Sequence, residues 1–276
     1  MEDINPVNRE YVPSPLLQEG IRSMSVLAEL HSADTEEHWV PPDDRVDLVF
    51  YHGDAWLERQ DGRLQALPPV FVSGLRTEPV RIISRGMTHL VSVRLHPWCT
   101  RLLLDLEESP RGFCTPVGSE LGALSKRVSH FLEAGAHASA LELVEGWLLE
   151  RATPLREPMS RSVEVAGLEL QATHGAARIG AIATRLGLSL RQLERRFHEA
   201  MGLSPKALAR LIRFARASER LDLEPGVSLT SLAFELGYAD QPHFIREFRA
   251  FAGMTPGQYA SEAPRPSPPP RISREG

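Results

Sequence analysis

Cysteine is scarce in this chain, which has two among 276 residues, Cys99 and Cys114. They form neither a CxxC pair nor any other spacing typical of a structural metal site. So few thiols exclude a small fold held together by several disulfides. We therefore expect both cysteines to be reduced and structural.

Long apolar runs are also absent, because no uninterrupted stretch approaches the roughly 20 residues that span a bilayer. The first residues, MEDINPVNREYVPSPLL, carry an acidic pair and prolines where a signal peptide has a basic start and an apolar run. The sequence therefore predicts a cytoplasmic protein with no membrane partner.

Catalytic motifs are missing as well, since the chain contains no GxSxG elbow, P-loop or dinucleotide fingerprint. The histidines of the first hundred residues form no close His-x-His grouping with a glutamate, as a metal centre in a β-barrel would need. These histidines are His31, His38, His52, His89 and His96. The sequence thus predicts a protein that is not an enzyme, without metal ligands or cofactors.

The length suits two domains, each able to bury its own core. The net charge is −5, but basic residues are concentrated in one segment. From Arg178 to Arg220 there are ten Lys or Arg residues and three Glu. This distribution indicates that one domain faces a polyanion and the other faces something else.

An internal repeat lies in and after this basic segment. IATRLGLSLRQLERRFHEAMGLSP, residues 182–205, aligns with LAFELGYADQPHFIREFRAFAGMTP, residues 232–256. The second copy has one more residue in its turn. Each copy predicts a short helix, a glycine that ends it, a tight turn and a second helix.

The start of each second helix carries a capping signal. Ser189 is an N-cap with Gln192 as its reciprocal partner, and Asp240 is the N-cap of the other copy. Pro242 then falls in the first turn, where a missing N–H costs little.

The second helix of each copy has an apolar and a polar face. Leu193 and Phe197, like Phe244 and Phe248, are spaced to pack that helix onto the first. The outer faces carry Arg191, Gln192, Arg195 and His198 in one copy and Gln241, His243, Arg246 and Arg249 in the other. This is the helix-turn-helix arrangement, whose second helix fits the major groove of DNA. Ordinary amphipathic helix pairs with solvated faces are the alternative.

A single long helix is predicted between the two copies. Ser204 and Pro205 begin it, and it runs to about Leu223, roughly 28 Å at 1.5 Å per residue. Its non-apolar positions carry Arg210, Arg213, Arg216 and Arg220. Such a helix can hold two DNA-binding units one DNA turn, about 34 Å, apart.

These motifs, from about Arg161 to Ala260, resemble the DNA-binding domain of AraC-type bacterial transcription regulators. The resemblance implies an all-α domain, residues 160–260, with two helix-turn-helix units that bind double-stranded DNA. The base-contacting positions that it implies are Arg191, Gln192, Arg195, Gln241, His243 and Arg246. Arg249 shares the second outer face, and we include it among the DNA contacts.

The front of the chain alternates short β-rich runs with glycine turns. We expect strands at Asp47–Tyr51, Ala55–Glu58 and Val70–Val72, and two more around Arg85-Gly86. This pattern predicts a small antiparallel β-barrel or sandwich. PSPLL, VPPDDRVDLVFYHGD, FVSGLRTEPV and VSVRLHPW resemble the cupin-like DUF6597 domain, a resemblance that implies no established ligand.

Three helical segments follow the predicted strands and complete a first domain at residues 1–155. Leu141, Val144 and Leu148 form an apolar stripe on the third segment, which core packing and homodimerisation explain equally well. The proline-rich residues 261–276 predict a disordered tail.

The fold class predicted is therefore α+β, a cupin-like antiparallel barrel with helices followed by an all-α tandem helix-turn-helix domain. The function predicted is a DNA-binding transcription regulator with a small-molecule effector in its front domain. Asp47, His52 and Arg94 are candidate ligand contacts, because they are polar groups that interrupt strands. RNA polymerase and a second copy of the chain are candidate partners. The alternatives are a cupin-type metalloenzyme with a helical appendage and an accessory protein-binding module.

Overall fold

The computed structural model describes residues 7–31, 35–110, 112–151, 161–262 and 271–272. The strands are β1 Val7–Tyr11, β2 Ile21–Leu30, β3 Glu36–Val40, β4 Val46–Glu58, β5 Leu64–Ala66, β6 Val70–Ser73, β7 Val80–Leu95 and β8 Arg271–Ile272. The helices of the sheet domain are α1 Thr100–Leu103, α2 Ser119–Glu133 and α3 His137–Leu149. The helices that follow are α4 Arg161–Ala172, α5 Ile179–Arg185, α6 Leu190–Met201, α7 Pro205–Leu223, α8 Leu229–Glu235, α9 Gln241–Ala252 and α10 Pro256–Glu262.

The eight strands form one sheet in the order β5-β4-β7-β2-β1-β8, with β3 paired to β7 and β6 paired to β4. All pairings are antiparallel except that of β1 with β8. Within the described ranges the outermost strands β5 and β8 do not pair with each other. The predicted closed barrel is therefore wrong, and the front domain is an open sheet.

Two long strands explain why the sheet stays open. β4 has 13 residues and β7 has 16, although the sequence predicted two short strands within each. Gly53, at φ 138°, lies in a β-bulge, and Gly86, at φ 67°, bends β7 without ending it. β7 then pairs with β3 through Val80–Ser84 and with β2 through Met87–Leu95. β3 and β2 thus lie end to end along one side of β7, and the order of strands does not close into a ring.

The two faces of the sheet bury different clusters, since successive side chains of a strand point to opposite faces. Leu48 and Phe50 lie on the face that shares the main core with the helices. Tyr51, Ala55 and Phe71 lie in a smaller cluster on the other face. The helices therefore cover one face, and the second face is available to form a cavity.

The apolar stripe of α3 belongs to this main core. Leu141, Val144 and Leu148 are all buried within the chain itself. Burying one such side chain contributes about 1.5–3 kcal/mol. Core packing therefore accounts for the stripe, and homodimerisation stays a prediction without support from it.

The sheet domain and the C-terminal helices meet at several side chains. The Trp98 indole packs on α4 at Gly167, where an added Cβ would lie 2.2 Å from the ring. Ser109 Oγ donates to the carbonyl oxygen of Ala200 at 2.7 Å, at the end of α6. α4 packs in turn against α6 and α7, so the contact reaches the centre of the helical region.

The remaining expectations divide between those confirmed and those outside the described residues. Cys99 and Cys114 are both free thiols, as predicted. Of the predicted 261–276 tail, residues 261–262 end α10, residues 271–272 form β8, and the rest lies outside the described ranges, as does the predicted boundary at 155–160. Among the helices of the structure, none combines the length and apolar character needed to cross a membrane.

Candidate nucleic-acid interface and ligand cavity

The first helix-turn-helix unit consists of α5 and α6. Gly187 takes the left-handed conformation at φ 67°, and the Leu188 amide donates to the Ala183 carbonyl oxygen at 2.9 Å. Ser189 then begins α6 through a complete capping box with Gln192. The local signals of the sequence therefore fold as predicted.

The second unit, α8 and α9, repeats this geometry. Gly237 is left-handed at φ 75°, and the Tyr238 amide donates to the Ala233 carbonyl oxygen at 2.9 Å. Asp240 accepts the His243 amide at 2.7 Å and thereby caps α9, with Pro242 in its first turn. The two units consequently share one turn geometry, despite the extra residue in the second.

The predicted apolar faces of α6 and α9 are buried. Phe197 is 0% and Phe248 is 1% exposed, so these rings belong to the core. Phe214 of α7 packs against Phe248, with ring centroids 4.9 Å apart and the ring planes tilted by 51°. The linking helix is therefore fixed directly to the second unit.

Most of the predicted base-contacting side chains lie on the outside of α6 and α9. The exposed ones are Arg191, Gln192, Arg195, His243, Arg246 and Arg249. Gln241 is half-buried, and its Oε1 accepts from Thr230 Oγ1 at 2.7 Å. Gln192 is partly committed too, because its Oε1 accepts from the Ser189 amide in the capping box.

The arginines of these faces differ in their partners. Arg195 lies 3.6 Å from Glu199 in an exposed ion pair one helical turn away. The side chains of Arg191, Arg246 and Arg249 make no hydrogen bond or ion pair to any described residue. Their guanidinium groups are thus free to meet acceptor atoms on another molecule.

Three arginines of α7 donate hydrogen bonds to residues of the same chain. Arg210 Nε donates to Glu247 at 2.8 Å, and Arg213 donates to Glu247 at 3.1 Å and to the Gly175 carbonyl oxygen at 2.9 Å. Arg220 donates to Glu224 at 3.2 Å. The Arg213 side chain is only 18% exposed, so its interactions are made within the domain.

Glu247 is the residue of this region that the sequence analysis missed. It is 7% exposed and accepts from Arg210, Arg213 and the Tyr238 hydroxyl. Burial raises the pKa of this carboxyl, but the hydrogen bonds from Arg210 and Tyr238 and the charge of Arg213 outweigh burial and lower the pKa. The carboxylate therefore fixes α9 to α7. Its position three residues after Phe244, on the buried face, was the available signal.

A cavity of about 270 Å³ lies on the sheet face that the helices do not cover. Val49, Phe71 and Leu90 supply part of its apolar wall. Phe113 lines the cavity as well, and the Arg76 guanidinium lies 5.4 Å from the centre of its ring.

The three candidate ligand residues lie at different places around this cavity. Asp47 lines it, and burial raises the pKa of its carboxyl despite the nearby Arg94 charge. Arg94 Nε lies 3.4 Å from Asp47 and Arg94 Nη1 lies 3.7 Å from Glu10, so Arg94 acts as a partner of carboxylates. His52 follows Tyr51 on the strand, points to the opposite face and lies 3.7 Å from Glu133 of α2. Ligand binding by these residues stays a prediction, and for His52 the cavity offers it no support.

Four polar side chains of the cavity contain buried atoms without a hydrogen-bond partner in the described ranges. They are His38 Nε2, Asp47 Oδ1, the Tyr51 hydroxyl, and Arg76 Nε and Nη1. The Arg76 side chain is 4% exposed, and its nearest carboxylate, Asp43, is 3.7 Å away. Buried polar groups normally have hydrogen-bond partners, so these four side chains give the cavity wall unused hydrogen-bonding capacity.

A histidine and glutamate grouping lies at one end of the cavity. The ligand atoms of His31, Glu36 and His38 lie within 4.8 Å of one another. The chain lacks a His-x-His grouping with a glutamate, as the sequence indicated, and these three residues come together without that spacing.

Two family models match the chain. Residues 182–262 match a model described as a helix-turn-helix domain, and residues 9–109 match one described as a domain of unknown function, DUF6597. Residues 182–262 are thus similar to helix-turn-helix domains, and residues 9–109 are similar to DUF6597 domains. The DUF6597 match precedes the helix-turn-helix match along the chain.

Curated relatives match part of the chain. The transcriptional activator RhaS of Escherichia fergusonii is 38% identical over 76 residues, which are 28% of this chain and 27% of that protein. The transcriptional regulator MtrA of Neisseria gonorrhoeae is 32% identical over 84 residues, 30% of this chain and 28% of that protein. The match thus spans little more than a quarter of either relative.

Solved structures are also similar. The alignment with ToxT from Vibrio cholerae covers 87% of this chain and 98% of the ToxT chain, with 12% sequence identity and a TM-score of 0.44. An AraC-type regulator structure from Chromobacterium violaceum covers 39% of this chain and 96% of its own at 25% identity, with a TM-score of 0.35.

Proposed function

We propose that this protein is a sequence-specific DNA-binding transcription regulator that works in the cytoplasm. The observation that carries the proposal is the pair of capped helices, α6 and α9, joined by one continuous helix. Both present exposed arginines, and α7 has 19 residues, or roughly 28 Å. Consecutive major grooves on one face of DNA are about 34 Å apart, so the two helices suit adjacent grooves.

The test uses one substitution in each unit. Arg195→Ala and Arg246→Ala are each expected to cost about 1–3 kcal/mol of DNA-binding free energy if the arginine holds a guanine edge. Arg85→Ala is the control, because Arg85 is exposed in the sheet domain and pairs with Asp54 at 3.2 Å. Footprinting is expected to show two protected patches on one DNA face, about 10 bp apart between centres.

Base-by-base selection decides whether these arginines contact bases. Arg195→Ala is expected to relax the base preference in one patch and Arg246→Ala in the other. A uniform loss of affinity with unchanged preference would mean that both arginines contact only phosphates. Affinity that is independent of salt would favour an accessory protein-binding module, since phosphate contacts release counterions.

We further propose that the sheet domain binds a small polar effector in the 270 Å³ cavity. The unpaired atoms of Tyr51 and Arg76 support this, because a ligand would supply the missing partners. RNA polymerase and a second copy of the chain stay predicted partners.

A thermal-shift screen of small polar compounds tests the cavity. Compounds that raise the melting temperature of the wild type are expected to lose this effect in Ala55→Leu, whose larger side chain fills the cavity. Equal stabilisation of both proteins would place the binding site elsewhere.

A further inference from the structure

The polar end of the cavity is assembled by the pairing of β7 with two other strands. β2 pairs with β7 up to Leu30 opposite Met87, and the next residue, His31, donates its amide to the Gly86 carbonyl oxygen at 2.9 Å. β3 begins on the other side of the Gly86 bend, with Glu36 opposite Ser84. Glu36 and His38 are two residues apart on β3, so their side chains lie on the same face of the strand.

A hydrogen bond to Thr88, which lies outside the group of His31, Glu36 and His38, sets the orientation of the His31 ring. Its Nε2 lies 3.0 Å from Thr88 Oγ1, which donates in turn to the Glu29 carbonyl oxygen at 3.4 Å. Its Nδ1 faces Glu36 Oε2 at 3.3 Å. Metal-binding histidines typically hold their second ring nitrogen in this way, which fixes the tautomer that leaves the first nitrogen as a ligand.

His38 has a buried ring nitrogen that no hydrogen bond within the group pairs. Its ring lies 4.9 Å from the His31 ring, edge to face. Its Nε2 is buried and has no hydrogen-bond partner in the described ranges. A metal ion between the two rings would pair this nitrogen.

We propose that His31 Nδ1, His38 Nε2 and the Glu36 carboxylate bind a divalent transition-metal ion of the Zn²⁺ type. Two imidazoles and one carboxylate suit such ions better than Mg²⁺ or Ca²⁺, which take oxygen ligands. In a tetrahedral site with bonds of about 2.0–2.1 Å, neighbouring ligand atoms lie roughly 3.3 Å apart. The separation of His31 Nδ1 and Glu36 Oε2 already has this value, and His38 needs to approach by about 1.5 Å at most.

The same geometry leaves the ion accessible from two sides. Glu36 is half-exposed, which provides a path for the ion from solvent. His31 and His38 both line the 270 Å³ cavity, so a fourth coordination position faces the space proposed for the effector. Three protein ligands with an open position are typical of ions that also hold a small molecule.

Isothermal titration of EDTA-stripped, full-length protein with Zn²⁺ tests the site. The wild type is expected to bind one ion with a Kd in the micromolar range or below. His38→Gln and Glu36→Gln are each expected to weaken binding at least tenfold, and Thr88→Val about tenfold through the orientation of His31. Glu36 is accessible to solvent, so its substitution keeps the test valid if His38→Gln does not fold.

The control is a second histidine group on the other face of the sheet. His89 Nδ1 lies 3.2 Å from His137 Nε2, and His137→Gln removes this pair without touching the proposed site. Zn²⁺ binding is expected to survive in His137→Gln. Its loss there, unchanged binding in both Glu36→Gln and His38→Gln, or no binding by the wild type would overturn the proposal. DNA binding is measured separately with metal-free protein, so failure of either proposal is distinguishable from failure of the other.

Discussion

Replacing Glu247 by Gln tests whether its buried carboxylate holds the second helix-turn-helix unit on the linking helix. The substitution keeps the shape of the side chain and removes the charge that Arg210, Arg213 and Tyr238 share. Hydrogen bonds to a charged group contribute about 1.5–3 kcal/mol each, and glutamine retains one acceptor oxygen. Arg210 is also partly hydrated, so we expect a net loss of about 2–4 kcal/mol.

The loss is expected to depend on pH. Because the folded-state pKa of Glu247 is lowered, its stabilisation is fully present above the unfolded pKa of about 4.3 and disappears as the pH falls through the lower folded-state pKa. The difference in unfolding free energy between wild type and Glu247→Gln is therefore expected to be constant near neutral pH. It is expected to shrink below about pH 4.3.

Urea unfolding of the full chain, followed by circular dichroism at several pH values, measures both effects. Glu224→Gln is the matched control, because Glu224, the residue after the end of α7, makes an exposed ion pair with Arg220. Exposed pairs contribute about 0–1 kcal/mol. Equal unfolding free energies for both variants at neutral pH, or a difference that does not change on acidification, would refute the assignment of Glu247 as a buried anchor.

Further predictions concern packing. Gly167→Ala is expected to lose about 1–3 kcal/mol of stability, since its Cβ would overlap the Trp98 indole, and denaturant unfolding measures this loss. Gly146→Ala, where an added Cβ meets nothing within 4 Å, is expected instead to gain up to about 1 kcal/mol. Phe197→Ala and Phe248→Ala are each expected to lose about 3–5 kcal/mol, and a near-wild-type urea midpoint with lost DNA binding would place these rings at the DNA.

Much of the helical region could be predicted from the sequence because its signals are local. The capping box of Ser189 and Gln192, the Asp240 cap and the left-handed Gly187 and Gly237 each involve residues within a few positions of one another. Helix ends depend on such short-range hydrogen bonds, which a reader of the sequence can recognise.

The sheet domain was predicted as a class but not in its topology. Glycines such as Gly53 and Gly86 are typical of turns, yet both lie inside continuous strands. Whether a glycine ends a strand or bends it depends on the partner strand, which lies far away in the sequence. The same long-range pairing keeps the sheet open.

The sequence by itself determined the tandem helix-turn-helix arrangement and the exposed positions on α6 and α9. Only the tertiary structure decided which charged residues are committed within the protein, such as Arg213 with Glu247. It also decided that His31 and His38 meet Glu36, since β7 brings the ends of β2 and β3 together. Local capping is encoded within a few residues, whereas ion pairs and ligand groups depend on which distant segments pack against each other.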